Sequence, residues 1–345
     1  MAVRSTDTDT RLPAMADVAR VAGVSPQTVS RALSGHPNVQ AKTKAKVLAA
    51  VEELGYRRNN AARALKSGRS RIIGVVILET SFFSRTAVTF GIEGSARKAG
   101  YSVRTATTDS LESDSVERAV LQLADEGVEG IVLAIPLIEA SDIIRAVTRS
   151  IPTIAIDGSR TPSTEVIAVD QERAARLATE HLLSLGHNTV WHVSGPSMWS
   201  DAAGRSRGWQ AALDDADIEA PPELHGDWSP ESGYRNGQIL GRIPEATAVF
   251  VSSDEMAFGV IRALHELGRR IPEDVSVVGV DNIALAEYCS PSLTTVAQPF
   301  TEIGALAVEH LVRLIADPQA VPEPITIEPQ LIIRASTAPP TPTAS

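Results

Sequence analysis

From Ile72 onward the chain alternates short strand-like stretches with longer helix-like ones, in two successive blocks. A run such as Ile72–Leu78 offers no polar face, so it suits a strand buried on both sides. The first block predicts strands at Ile72–Leu78, Tyr101–Thr107, Gly130–Ile135 and Pro152–Asp157, with helices at 86–99, 113–126 and 139–149. The second, after Asp170, predicts helix 171–185, strand Thr189–Ser194, helices 202–214 and 230–241, and strand Ala248–Ser253. It closes with helix 254–267 and strand Val275–Asp281. Strands separated by helices form parallel sheets, so the body is α/β, with two doubly wound parallel sheets.

Composition removes several function classes. The chain has 345 residues, 43% hydrophobic and 21% charged, enough to bury a full core. It has no apolar run near the about 18–20 residues of a membrane span and no apolar N-terminal stretch of the signal-peptide kind, so a cytoplasmic protein is expected. Cys289 is the sole cysteine, which excludes an internal disulfide and a cysteine-rich zinc site. Neither a nucleophile elbow, a phosphate-binding loop nor an HExxH zinc motif is present, and "GIEGSARKAG" is too irregular for a dinucleotide fingerprint. The expectation is a protein without catalytic residues, metal or cofactor.

Charge is unevenly distributed. Residues 1–71 hold 13 basic side chains against five acidic ones, a net of +8, and the remainder is −18. A basic head on an acidic body points to a polyanion partner for the head alone. Within that head, Met15, Val18, Ala19 and Ala22 recur at helical spacing, and Gly23 stops the helix where positive φ is needed. Ser25 and Pro26 form an N-cap and first-turn pair for a second helix at 26–33, with Val29 and Leu33 on one face and Gln27, Thr28 and Arg31 elsewhere. A third helix, 41–54, turns Val47, Leu48, Val51 and Leu54 inward and leaves Lys42, Lys44 and Lys46 free for phosphates. Three short helices with a tight glycine turn suit a helix-turn-helix whose second helix lies in the DNA major groove. There Gln27 can pair with adenine, and Arg31 with guanine or a phosphate. A small helical bundle with a surface Gln and Arg has the same spacing.

The segment from "MADVARVAGVSPQTVSRALSGHPNV" to "RIIGVV" closely resembles the headpiece and hinge of the lactose/galactose-repressor (LacI/GalR) family of bacterial transcription factors. Asp17-Val18-Ala19, Ala22-Gly23-Val24-Ser25, Thr28-Val29-Ser30-Arg31, Leu54-Gly55-Tyr56 and the Asn-x-x-Ala-Arg-x-Leu run carry the likeness. The resemblance implies a DNA-binding headpiece at 13–57 after a loose tail at 1–12, with Ser25, Pro26, Gln27, Thr28 and Arg31 at the operator. It also implies a hinge at 58–70, in which Asn59, Ala62, Arg63 and Leu65 sit on DNA and Leu65 wedges into the minor groove. Four positions depart from the pattern. Ala14 replaces a capping Thr or Ser, at about 0.5–2 kcal/mol; Gln40 replaces a serine cap; Arg58 replaces a proline; and Pro26 stands where a base-reading side chain is common.

In open α/β sheets ligands lie beyond the carboxyl ends of the strands, where this chain places Asp157, Ser194, Ser253, Asp254 and Asp281. Such residues also cap following helices, which is the expected role of Asp254. Trp228, in the loop "GDWSPESGY", is suited to stack on a sugar ring. The resemblance extends over the body, through "SDEMAFGVIRAL", "IPEDVSVVGVDN" and "PSLTTVAQPFTEIGALAVEHL". It implies a core at 71–340 like periplasmic sugar-binding proteins, with lobe 1 at 71–169 and 299–327 and lobe 2 at 170–298 and 328–340. The proline-rich end, 338–345, reads as a loose tail. The family's effector residues then fall on Arg205 as anchor, Asp281 as hydroxyl acceptor and Trp228 as stacking ring. Asp157 and Phe300 line the pocket, and Ser253 stands where Asn is common. Leu78, Glu79, Ser81 and Phe82 are expected to face the cleft, and His187 and His192 to be structural. The expected function is a repressor, dimeric and released from palindromic operator DNA by a sugar. The alternatives are a regulator strengthened by a purine-like corepressor or a partner protein, and a carbohydrate enzyme or plain sugar-binding protein.

Overall fold

The computed structural model describes residues 13–34, 36–56, 68–79, 83–136, 141–157, 164–317, 319–321 and 323–341. The chain divides into two compact units, Met1–Ser70 and Arg71–Ser345. The first holds three helices, α1 (Met15–Ala22), α2 (Pro26–Leu33) and α3 (Ala41–Leu54). Val18, Val29, Val47 and Tyr56 close its core. Gly23 has φ 66° and ends α1 in the left-handed region. Ser25 caps α2 by accepting the Thr28 N–H at 3.1 Å. No side chain caps α3 at Gln40. At α1 the Asp17 carboxylate reaches back to the Ala14 N–H at 2.9 Å, so the missing cap is partly replaced. One expectation fails here. Leu48 is 48% exposed, because the inward row runs Val47, Ala50, Val51, Leu54, and Leu48 falls outside that stripe.

The second unit contains two six-stranded sheets. The first is built from β1 (Ile72–Leu78), β2 (Ser102–Thr108), β3 (Gly130–Ala134), β4 (Thr153–Ile156), β5 (Thr164–Val169) and β11 (Ile325–Ile327). Their order is β11-β5-β4-β3-β1-β2, and every pairing is parallel. The second holds β6 (Trp191–Ser194), β7 (Leu224–His225), β8 (Ala248–Val251), β9 (Ser276–Asp281), β10 (Thr294–Ala297) and β12 (Gln330–Ile332). Its order is β12-β10-β9-β8-β6-β7, with β12 antiparallel to β10. Each sheet with its helices forms a lobe, and the chain passes between lobes near 170, 298 and 328.

Helices cover both faces of each sheet, which is why inner strands such as β1, β3 and β8 are apolar throughout, whereas the edge strand β2 is largely exposed. In lobe 1, α4 (Phe83–Lys98) and α12 (Phe300–Ala316) lie on one face, and α5 (Ser113–Asp125) and α6 (Asp142–Ser150) on the other. In lobe 2, α9 (Pro230–Leu240) and α10 (Asp254–Glu266) lie opposite α7 (Gln171–Ser184) and α8 (Ser200–Asp214). Helices α4 and α12 approach to backbone contact. A Cβ at Gly91 would overlap the Thr301 carbonyl oxygen, and one at Gly304 the Val88 carbonyl oxygen.

Two segments lie outside the simple alternation. β5 contains Glu165, a polar residue inside a buried strand, which weakens its sequence signal. Its carboxylate is held by His310 Nδ1 at 2.5 Å and Arg313 at 2.6 Å, both from α12. Residues 338–341 are not loose. The Ala338 N–H donates to Ser276 Oγ at 3.0 Å, and the Thr341 hydroxyl to the Glu273 carbonyl at 2.6 Å.

Candidate functional site

The helix-turn-helix unit presents one polar surface. Ser25, Pro26, Gln27 and Arg31 are exposed at and along the start of α2, while Thr28 is half-buried and its hydroxyl shares a 2.9 Å hydrogen bond with Ser25. Lys42, Lys44 and Lys46 are exposed on α3. The start of α2 thus presents the exposed side chains of Gln27 and Arg31, a combination suited to phosphates and base edges. The hinge positions Asn59, Ala62, Arg63 and Leu65 lie outside the described residues.

Between the two lobes is a cleft lined by residues of both. Five of the six sequence-expected effector residues line it: Arg205, Trp228, Ser253, Asp281 and Phe300. Each comes from the carboxyl end of a strand or the start of a helix. Asp281 ends β9, Ser253 follows β8, Arg205 is in the second turn of α8, Phe300 starts α12 and Trp228 precedes α9. Asp157, beyond β4, is buried just behind the lining and lies close enough to feel the charges of Asp201, Arg85 and Arg205. Ser253 has a second duty. Its hydroxyl accepts the Met256 N–H and caps α10, so the cap expected of Asp254 belongs to Ser253. Asp254 is instead buried, accepting from Thr295 at 2.6 Å and from the Ile283 N–H at 2.9 Å. Leu78 packs into the core of lobe 1 and does not reach the cleft, Glu79 is exposed outside its lining, and Ser81 and Phe82 lie outside the described residues.

Arg205 is fixed on three sides. Its Nε donates to Gln171 at 2.8 Å, one terminal nitrogen donates to the Ser252 carbonyl, and its guanidinium lies 5.5 Å from the centre of the Trp228 ring. Gln171 passes the restraint to Gln298 at 2.9 Å, and Gln298 to Asp281 at 2.6 Å. The Ser252 side chain is held in turn by His192 at 2.9 Å, whose other ring nitrogen meets Glu223 at 2.9 Å. His187 bonds Thr247 at 3.0 Å and Ser276 at 3.2 Å. Both histidines are buried structural groups, and burial holds both below the usual histidine range.

The backbone at the cleft is strained. Asp157 (φ 49°), Trp228 (φ 72°) and Asp281 (φ 114°) occupy conformations that non-glycine residues rarely adopt. Trp228 meets Trp199 edge to face at 5.6 Å, and its indole reaches Gly195, where a Cβ would overlap the ring. Burial, aided by Asp201 and opposed by Arg85 and Arg205, pushes Asp157 up to about 7. Burial also lifts Asp281 to about 7, against Arg205 and the Gln298 hydrogen bond.

Several lining residues escaped the sequence reading. Trp199, Asp201, Glu255 and Gln298 come from lobe 2 and its exit strand, and Ser84 and Arg85 from lobe 1. Asp201 was legible in principle, since it precedes Arg205 by four and so shares its helix face. Arg85 had no local signal. It is buried, donates to the Ala134 carbonyl at 3.2 Å and lies 5.4 Å from the Trp199 ring centre.

Comparison with known proteins shows what this architecture belongs to. Residues 14–59 match the model for bacterial regulatory proteins of the lacI family, and 179–337 that of a periplasmic binding protein-like domain. The chain is 34% identical to the lactose operon repressor of Escherichia coli (strain K12) over 332 residues, 95% of this chain and 92% of that protein. It belongs to the LacI family. To the HTH-type transcriptional repressor PurR of Yersinia pestis (strain Pestoides F) this LacI-family chain is also 34% identical, over 93% of its length and 96% of that protein's. The crystal structure of the lac repressor dimer bound to operator and the anti-inducer ONPF superposes on it with a TM-score of 0.87 at 32% identity. That match covers 95% of this chain and all of the other. Among the described residues no helix is long and apolar enough to cross a membrane.

Proposed function

We propose that this LacI-family chain is a sequence-specific DNA-binding transcriptional repressor whose operator affinity is lowered by a sugar. Residues 13–57 read DNA, 58–70 form the hinge and 71–340 bind the effector. The observation that carries the reading is the cleft itself. Arg205, locked by Gln171 and the Ser252 carbonyl over the face of Trp228, lines the same cleft as Asp281. A planar guanidinium, a carboxylate and an indole face are the donor, acceptor and stacking partner that a polyhydroxylated ring requires. Binding favours one inter-lobe geometry and shifts the population of DNA-competent dimers. A coupling of about 1–3 kcal/mol gives 5–150-fold release. The protein acts in the cytoplasm as a homodimer on a palindromic operator, and its relatives are repressors and not enzymes.

PurR, at the same identity, supports a second reading, in which the ligand strengthens DNA binding. The test begins by selecting operator sequences from a random DNA pool with the purified protein. Affinity is then measured with galactosides, glucosides, pentosides and purines. A sugar that weakens operator binding, with the effect lost in Trp228→Ala, sustains the first reading. A purine that tightens it replaces that reading with the second.

A further inference from the structure

The charge on the cleft wall is not balanced. Asp201, Glu255 and Asp281 line the cleft and Asp157 stands just behind them, against two guanidiniums, Arg85 and Arg205. No ion pair joins these six side chains among the described residues. Both guanidiniums are engaged with neutral groups: Arg205 with Gln171, the Ser252 carbonyl and Trp228, and Arg85 with the Ala134 carbonyl and Trp199. The carboxylates likewise receive only neutral donors. Asp281 takes the Gln298 amide, Glu255 the Phe83 N–H at 3.2 Å, and Asp201 the Ser200 hydroxyl at 3.2 Å. Four carboxyl groups thus stand against two guanidiniums, and the site relieves part of the imbalance by holding protons, since Asp157 and Asp281 are lifted to about 7; uncompensated charge out of water is costly.

The excess is also split across the lobes. Asp157 belongs to lobe 1 and Asp201 to lobe 2, so bringing the lobes together brings like charges together. Asp201 is the largest charge acting against ionisation of Asp157. A separate set of atoms shows what else a ligand must supply. Arg85 Nε and Trp228 Nε1 are donors on side chains more than nine-tenths buried at the cleft, and neither has an acceptor. The Asp157 Oδ1 acceptor is also unpartnered. A ligand that completes the site carries acceptor oxygens for the two N–H groups and a positive charge for the carboxylates. Sugar acids and sugar phosphates deepen the excess, and neutral sugars leave it untouched.

We propose that the effector is an amino sugar, and that its ammonium group is received by Asp201, with the Asp157 carboxyl of lobe 1 close behind the lining. This rests on the sugar-effector reading above and narrows it. An ammonium brings three donors and one positive charge. Held at Asp201, whose charge acts on Asp157 of the other lobe, it offsets the repulsion that opposes closure.

The test is isothermal titration of the full-length protein at neutral pH. The ligands are glucosamine, galactosamine, mannosamine and the 6-amino-6-deoxy hexoses, each beside its neutral parent. At least one amine is expected to bind about tenfold or more tightly than its parent, a difference of about 1.4 kcal/mol. Asp201→Asn, or Asp201→Ser if the first variant folds poorly, should collapse that ratio towards one. Neutral parents binding as tightly as the amines overturns the proposal and leaves the sugar reading standing. Purines binding in place of all sugars overturns both. An amine preference that survives in a folded Asp201 variant overturns the assignment to Asp201.

Discussion

The backbone N–H of Phe83 donates across the cleft to the carboxylate of Glu255 at 3.2 Å, so a lobe 1 helix starts on a side chain from the first turn of a lobe 2 helix. This contact exists only while the lobes are together, and it lies at the rim where solvent weakens it. Glu255→Ala should accelerate hydrogen exchange at the Phe83 amide and lower effector affinity by about fivefold, the equivalent of about 1 kcal/mol. Unchanged exchange at Phe83 would show that the contact does not hold the lobes.

Asp157 and Asp281 give the cleft a defined pH response. Each is lifted to about 7, against about 3.9 in the unfolded chain. Between those values the folded protein keeps protons that the unfolded chain releases, so stability from these groups falls as pH rises from about 4 to about 7. Above about 7 both states are ionised and the dependence ends. The slope is at most about 1.4 kcal/mol per pH unit for each group. Thermal unfolding from pH 5 to 8 checks this: Asp157→Asn and Asp281→Asn should each flatten the profile and raise the melting temperature most near neutrality.

At the DNA-binding surface two kinds of substitution should separate. Gln27→Ala should relax preference at one operator base pair, at about 1–3 kcal/mol. Lys44→Ala should weaken all sequences alike and reduce the salt dependence of binding by about one counterion. Fluorescence anisotropy over a salt series with matched and mismatched operators distinguishes them. Identical effects from both variants would remove Gln27 from base reading.

The close approach of α4 and α12 makes lobe 1 sensitive to a single methyl group. Gly91→Ala pushes a Cβ into the Thr301 carbonyl, and backbone cannot step aside as a side chain can. The expected loss is about 1–3 kcal/mol, read as a lower melting temperature. Gly94→Ala, on the same helix with open space around it, serves as the control and should be neutral or slightly stabilising.

Much of this molecule was legible in the sequence because burial on both faces of a strand leaves an unmistakable apolar run. Ile72–Leu78 was read that way, and the strand read at Ala248–Ser253 is found at Ala248–Val251. Thr164–Val169 was not set apart as a strand, because Glu165 interrupts its apolar pattern and the groups that neutralise it lie 145 and 148 residues away. The cleft divides similarly. Arg205, Trp228 and Asp281 sit in distinctive local motifs at strand and helix ends. Arg85 and Gln298 become site residues only when two lobes meet, a fact that no local spacing encodes. Leu48 failed for a simpler reason, since a helical stripe of four apolar positions tolerates a fifth beside it that points to solvent.

Gln171 and Gln298 stand where the chain passes between lobes, and both belong to the hydrogen-bonded series running from Arg205 to Asp281. One of the three pivots, at Gln298, therefore lines the cleft, and a second, at Gln171, is bonded to it and to Arg205. On the proposed reading, occupancy is registered as torque at the axle as well as traction between the jaws. Loosening either glutamine softens the axle and leaves both jaws intact, which separates how firmly a ligand is held from how far it turns the molecule.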